Sequence, residues 1–255
     1  MNSSTLPKIA IIGSGRVAKS LGLYFRSKGV QITGLYGRNQ STAKLCAELL
    51  KCKLISDPNL IEADLILVSV SDDQTARLID QLSLDKYIVY TAGSIELNEI
   101  KHPNTGVFYP LQNFNGDESD TLFSFPVLIE SKNNMVTKMI DALCAHCQIE
   151  TEICDSKKRK DYHLVAVFLN NFITHIAHLS ESESKSRQLN WNILKPLIEK
   201  TINTTLSKNI LNKQTGPASR KDYSVLKKHE EMLKGDAKEV YKVLSESIIK
   251  SMKSK

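Results

Sequence analysis

Hydrophobic and polar residues follow two different periods along this chain. In the first 155 residues, short runs rich in Ile, Val, Leu and Tyr predict strands over 8–12, 31–36, 54–55, 64–70, 87–91, 106–109, 126–130 and 148–153. Stretches of helical period lie between them, notably 17–28, 42–50 and 136–147. Asp57 followed by Pro58 opens a short helical turn, with the aspartate as cap and the proline at the first helical position. Strands and helices alternating in this way build a doubly wound α/β sheet.

Beyond Asp155 no strand pattern remains. Helical periods cover 161–179, 193–208, 222–234 and 238–250, and the turn-rich stretch 211–220 divides them. The run 161–179 is apolar nearly all round, with Leu164, Val165, Val167, Phe168, Leu169, Phe172, Ile173 and Ile176. An exposed amphipathic helix does not show such a pattern, so burial on several sides is expected, by neighbouring helices or by a second subunit. The chain therefore reads as two domains, 1–155 and 156–255, with no low-complexity linker and a rigid cleft between them.

The first strand runs directly into Gly13-Ser14-Gly15-Arg16-Val17-Ala18 and then into a helix. In this setting Gly13 permits the tight turn, Gly15 lets the backbone approach a pyrophosphate, and Ala18 lets the helix lie close on the sheet. The phosphates then meet the free N–H groups of the helix start, and a dinucleotide is the expected ligand. In the NAD version of the fold an acidic residue about 20 residues further on takes the ribose 2′-hydroxyl. That place holds Arg38, followed by Asn39, Ser41 and Thr42. A guanidinium binds two phosphate oxygens at once, so NADP is expected ahead of NAD; the plainer alternative is a solvated arginine. The fourth strand ends in Val70-Ser71-Asp72 and the fifth in Thr91-Ala92-Gly93, at the carboxyl edge where open α/β sheets bind ligands. These residues either line the pyrophosphate and nicotinamide ribose or serve as helix cap and turn.

Composition narrows the classes. Hydrophobic residues make up 41% and charged residues 24%, as in a soluble globular protein. No apolar run approaches the roughly 20 residues a membrane helix needs, and no secretory pattern opens the chain, so a cytoplasmic protein without a membrane partner is expected. The net charge is +6, from 34 Lys and Arg against 28 Asp and Glu. Much of the excess lies in 157–160 (KKRK) and in the tail, and without interleaved aromatics such runs read as solvated faces rather than a nucleic-acid surface. Five cysteines, an odd number, argue for reduced thiols. Cys144 and Cys147 lie on the apolar face of a helical segment, where thiols pack as hydrophobes, and no second ligand pair completes a metal site.

Four separated motifs carry a resemblance over nearly the whole chain. They are the glycine loop 13–18, Tyr109-Pro110-Leu111-Gln112-Asn113-Phe114, Tyr162-His163 with 165–172 (VAVFLNNF), and 215–222 (TGPASRKD) followed by His229. In these the chain resembles the Rossmann-like oxidoreductases whose helical second half is a domain of unknown function. The resemblance implies kinship with deazaflavin-dependent NADP reductases, pyrroline-carboxylate reductases and ketopantoate reductases. It also implies an all-helical second domain like that of 6-phosphogluconate dehydrogenase, which often dimerises, and hence a homodimer. It implies no substrate. Two positions depart from the family pattern: Tyr109 stands where His is usual, and Lys221 where Gly is usual.

Hydride chemistry requires groups that orient or protonate a substrate. His163 precedes Asn170 by two helical turns, so both can face one side, and Asn170 and Asn171 sit within an apolar helix where unpartnered amides are costly. These three are the expected catalytic groups, facing the cleft between the domains; the alternative is that they satisfy backbone or subunit contacts. Tyr109, Gln112, Thr215, Gly216, Arg220 and Asp222 are the expected substrate contacts, with Arg220 clamping a carboxylate and Asp222 orienting it or capping the next helix. The expected function is NADP-dependent hydride transfer with a small carbonyl or imine. The rival is a non-catalytic NADP sensor or scaffold acting through its helical domain.

Overall fold

The structure, a computed structural model, describes residues 6–252. Eight strands form one sheet: β1 (Ile9–Ile12), β2 (Ile32–Tyr36), β3 (Lys53–Leu54), β4 (Leu65–Val68), β5 (Ile88–Tyr90), β6 (Thr105–Pro110), β7 (Val127–Ser131) and β8 (Thr151–Ile153). Their order is 3-2-1-4-5-6-7-8, parallel except where β7 runs against β6. The chain order reverses at β1, between β2 and β4, and that switch opens a crevice at the carboxyl ends of the strands.

Alternation along β1 fills two cores. Ile9 and Ile11 face one side, with Leu21 and Phe25 of α1 (Arg16–Ser27), Leu50 of α2 (Gln40–Leu50) and Ile140 of α4 (Asn134–Cys147). Ala10 and Ile12 face the other, with Ile79 of α3 (Asp72–Ile79) and with Leu82, Leu97 and Ile100. A strand buried on both faces needs apolar residues at every position, which is why β1 reads as an unbroken run. Asp57 caps the turn at Pro58 as expected, its Oδ1 accepting from the Asn59 N–H at 2.9 Å.

All five cysteines are free thiols. Burial pushes Cys144 up to about 12 and Cys147 up to about 11, so both stay protonated and unreactive at neutral pH. Among the described residues no group of three or more His, Cys, Asp or Glu is placed to hold a metal ion, and no helix is long and apolar enough to cross a membrane.

The chain forms two compact units, Met1–Asn171 and Phe172–Lys255. The first includes α5 (Ser156–Ala166), which starts earlier than the expected 161 because Asp155 caps it, accepting from the Lys158 N–H at 2.7 Å. A π-helical segment, Val167–Phe172, follows. The second unit is helical, with α6 (Ile173–Ser186), α7 (Lys195–Thr205), α8 (Tyr223–Met232) and α9 (Gly235–Ser251). Arg187 ties the end of α6 to the Met232 carbonyl at 2.8 Å, and His229 on α8 meets the Tyr241 hydroxyl of α9 at 2.9 Å.

The apolar run 161–179, expected to be buried, keeps an open face on the first unit. Leu164, Val165 and Leu169 are 60%, 56% and 64% exposed.

Candidate active site

Two cavities of the first unit hold most of the expected site residues. The first, of about 450 Å³, lies at the switch point. Gly13, Ser14, Gly15, Arg16 and Val17 form its floor, Arg38 and Asn39 one wall, and Val70 and Ser71 the other. Gly13 has φ +127°, and a Cβ there would stand 2.0 Å from the Ser69 carbonyl oxygen, so only glycine makes this turn. Gly15 has no atom within 4 Å of where its Cβ would be; it faces open space. It is also the N-cap of α1, with no side-chain cap bond and no acidic residue in the first turn, so the helix start is free to meet an anion. Ala18 is buried behind the loop. On the far wall, Asn39 caps α2 through the Thr42 N–H at 3.1 Å, and Ser14 Oγ lies 3.0 Å from Thr42 Oγ1. Arg38 is exposed on the same wall, close enough to the Asp73 carboxylate to help hold it below its ordinary value, and the cavity has the floor and free helix start that a dinucleotide needs.

Three other expected cofactor contacts take different places. Thr91 Oγ1 donates to Ser69 Oγ at 3.2 Å, at the inner edge of the sheet. Asp72 begins α3 and accepts from Ser94 Oγ. Gly93 is buried against Tyr109 and His163.

The second cavity, of about 500 Å³, brings together residues that are far apart in sequence: Tyr109 and Gln112 from the end of β6, His163 from α5, and Asn170 and Asn171 from the π-helical segment. The Tyr109 hydroxyl lies 2.8 Å from His163 Nδ1. Gly93 permits this meeting, since a Cβ would stand 2.9 Å from Tyr109 Cε2 and 3.2 Å from His163 Nδ1. Burial raises the Tyr109 phenol above its ordinary value, the Asp72 carboxylate adds to the rise, and Arg159 opposes it. The π-helical turn widens the helix where the two asparagines enter the cavity, and Asn170 Nδ2 donates to Asn171 Oδ1 at 3.4 Å. Leu111, Val165 and Leu169 supply apolar walls.

The remaining expected contacts belong to the second unit. Asp222 caps α8, accepting from the Val225 N–H at 3.2 Å and from Ser224 Oγ at 2.9 Å, and these bonds hold its carboxyl below the usual range. Thr215 and Arg220 are exposed, and Gly216 has φ +101°. Lys221 has φ +58°, a left-handed conformation that glycine adopts more readily than lysine.

Sequence reading missed Arg159 and Glu130. Arg159 was counted in a solvated basic run but is wholly buried, paired with Glu130 at the end of β7. Two signals were present: a lone carboxylate closing an apolar strand, and an arginine one helical turn before His163.

Comparison with known proteins agrees with this architecture. Residues 8–92 match the family described as NADP oxidoreductase, coenzyme F420-dependent, and residues 125–248 match a domain of unknown function, DUF2520. The two matches lie one after the other, an NADP oxidoreductase match in the strand-rich half and the helical DUF2520 match behind it. Among solved structures, it is similar to a Bacteroides fragilis protein proposed to be an NADP oxidoreductase, at 29% identity and TM-score 0.85, covering 96% of this chain and 98% of that one. The fold is also shared with 1-pyrroline-5-carboxylate reductase of Streptococcus pyogenes, at 14% identity and TM-score 0.62 over 99% of this chain and 100% of that one. It is shared too with pyrroline carboxylate reductase of Plasmodium falciparum with NADP bound, at 13% identity and TM-score 0.61 over 97% and 100%. No curated protein sequence matches the chain. The cradle at 13–18 falls in the oxidoreductase match, whereas His163, Asn170 and Asn171 fall in the DUF2520 match.

Proposed function

We propose that this protein exchanges hydride between NADP and a small carbonyl or imine, with the Tyr109–His163 pair handling the proton. The observation that carries the reading is the 2.8 Å contact of Tyr109 and His163 in a cavity that also holds four carboxamides, Gln112, Asn113, Asn170 and Asn171. Bound NADPH supplies the hydride. Reduction of a carbonyl or imine then needs one proton at the oxygen or nitrogen, and the phenol–imidazole pair holds a proton that either end can pass on. Gln112, Asn170 and Asn171 orient the substrate by hydrogen bonds, beside the apolar walls of Leu111, Val165 and Leu169. Arg38, Asn39 and Ser14 receive the 2′-phosphate.

Calorimetric titration with NADPH and with NADH, repeated on Arg38→Ala, tests the cofactor. The expected result is a preference for NADPH that the variant cuts by about tenfold or more, the worth of a charge-assisted hydrogen bond. Screening carbonyls and imines for NADPH oxidation then tests turnover. If neither nucleotide binds at millimolar concentration, the reading fails.

We also infer a homodimer, with the partner copy covering the exposed face of Leu164, Val165 and Leu169. Light scattering of the wild type and of Leu164→Glu with Leu169→Glu tests it, and a wild-type monomer at all concentrations would refute it. The same face favours a second reading, an NADP sensor without turnover. Nucleotide-dependent dimerisation, together with no NADPH oxidation across the substrate panel, would select it.

A further inference from the structure

The basic run that closes on Lys160 docks α5 onto the first unit. Lys158 pairs with Glu152 of β8, Arg159 with Glu130 of β7, and Lys160 with Glu96 at 2.7 Å, so three successive cations reach three carboxylates on different elements. The outer two pairs are exposed, and such pairs hold little. Arg159 differs in kind. Its side chain is wholly buried, and besides Glu130 it donates to the carbonyls of Gly93 at 3.4 Å and Ile95, and to Ser156 Oγ at 3.2 Å. Ser156 Oγ in turn donates to Glu130 Oε2 at 2.8 Å and accepts from the Leu97 N–H at 3.0 Å.

We propose that Arg159 is the positioning residue of the site, fixing α5 on the Gly93–Ile95 loop so that His163, one turn further on, meets Tyr109. This rests on the reading of Tyr109 and His163 as the reactive pair. Residues 159 and 163 stand four apart on one helix face, so the guanidinium sets the depth at which the imidazole enters. Gly93 links the two ends: its carbonyl accepts from Arg159, while its Cα lies against both rings of the pair. No side chain intervenes to absorb a shift. A buried ion pair adds little stability over apolar residues of the same volume, whereas its directional bonds fix geometry. Lysine cannot replace it, because one ammonium cannot span acceptors on β7 and on the loop together. The same guanidinium draws down the Tyr109 phenol that burial and Asp72 raise, so it bears on the pair electrostatically as well.

The test reads the pair directly, without a substrate. In the full-length protein labelled at its six histidines, long-range proton–nitrogen spectra report the tautomer and hydrogen bonding of His163, assigned with His163→Gln. Tyr109→Phe defines the signature of a broken contact. Arg159→Lys and Glu130→Gln are expected to show that broken signature while binding NADPH within threefold of wild type. Lys160→Gln is expected to keep the intact one. A folded Arg159→Lys protein with the intact signature overturns the proposal. If that variant does not fold, Glu130→Gln decides by the same criterion; if neither folds, the pair is structural and the proposal also fails. Loss of NADPH binding by the wild type would instead remove the cofactor reading, leaving the histidine signature legible.

Discussion

Tyr109 and His163, separated by 54 residues, meet at 2.8 Å between the phenol oxygen and Nδ1. β6 delivers the first and α5 the second, and the contact needs a residue without a side chain at Gly93. Burial by the fold around it raises the phenol above its ordinary value, while the imidazole it meets lies at the open side of the cavity.

Removing either member should cost the proton step. Once a carbonyl or imine substrate is in hand, Tyr109→Phe and His163→Ala are expected to lower kcat by about 100-fold or more, the usual worth of a positioned acid. NADPH affinity should stay within twofold, because neither residue lines the cradle. Steady-state kinetics beside nucleotide titration separates the two effects, and unchanged kcat in both variants would sink the assignment.

The two loop glycines should respond oppositely to alanine. Gly13→Ala forces a Cβ to within 2.0 Å of a backbone oxygen at φ +127°, and is expected to destabilise the fold by about 3 kcal/mol or more in urea unfolding. Gly15→Ala meets nothing and has φ −76°, so stability should hold or rise by about 0.5 kcal/mol. Its methyl would fill the space the pyrophosphate needs, and NADPH affinity should drop at least tenfold. Equal nucleotide affinity in Gly15→Ala and wild type would show that the cradle is not used.

Asp120 gives a pH dependence with a definite sign. It is buried, which opposes ionisation, yet Ser20 Oγ at 2.5 Å and the N–H groups of Gly116 and Asn115 hold its carboxyl below the ordinary value. A depressed carboxylate stabilises the fold above its unfolded pKa, and that contribution is lost as pH falls through the folded one. Asp120→Asn should therefore cost about 1–3 kcal/mol at pH 7, where an amide faces donors. Urea unfolding should show the gap from wild type narrowing below about pH 4, the unfolded aspartate value. A gap independent of pH would contradict the assignment.

Lys221→Gly should stabilise the second unit. The left-handed backbone at φ +58° costs a non-glycine residue about 1–2 kcal/mol, partly offset by the greater freedom glycine brings to the unfolded chain. A net gain of about 0.5–1 kcal/mol is expected by calorimetry. A loss would mean that the lysine side chain makes contacts that outweigh the strain.

Much of the first unit was legible because its signals are local. The run from Lys8 to Ile12 into Gly13 and Gly15, the cap at Asp57 and the apolar face of 136–147 each follow from one stretch of chain. The start of α5 was misplaced because Asp155 and Ser156 precede a basic run that hides the helical period. The burial of Arg159 is hidden in that basic run, because it depends on Glu130, which lies 29 residues away on β7.

The sequence by itself determined the alternation of strand and helix, the turn that only Gly13 can make, the arginine at the end of β2, and the change to an all-helical second half. Backbone stereochemistry and the period of apolar residues decide these within a few residues of chain. Only the tertiary structure decided which polar groups meet. It set Tyr109 on His163 and Arg159 under both through Gly93, and it left Leu164, Val165 and Leu169 exposed. Those outcomes depend on which strands pair and where α5 docks, and such distant relations leave no periodic trace in one sequence.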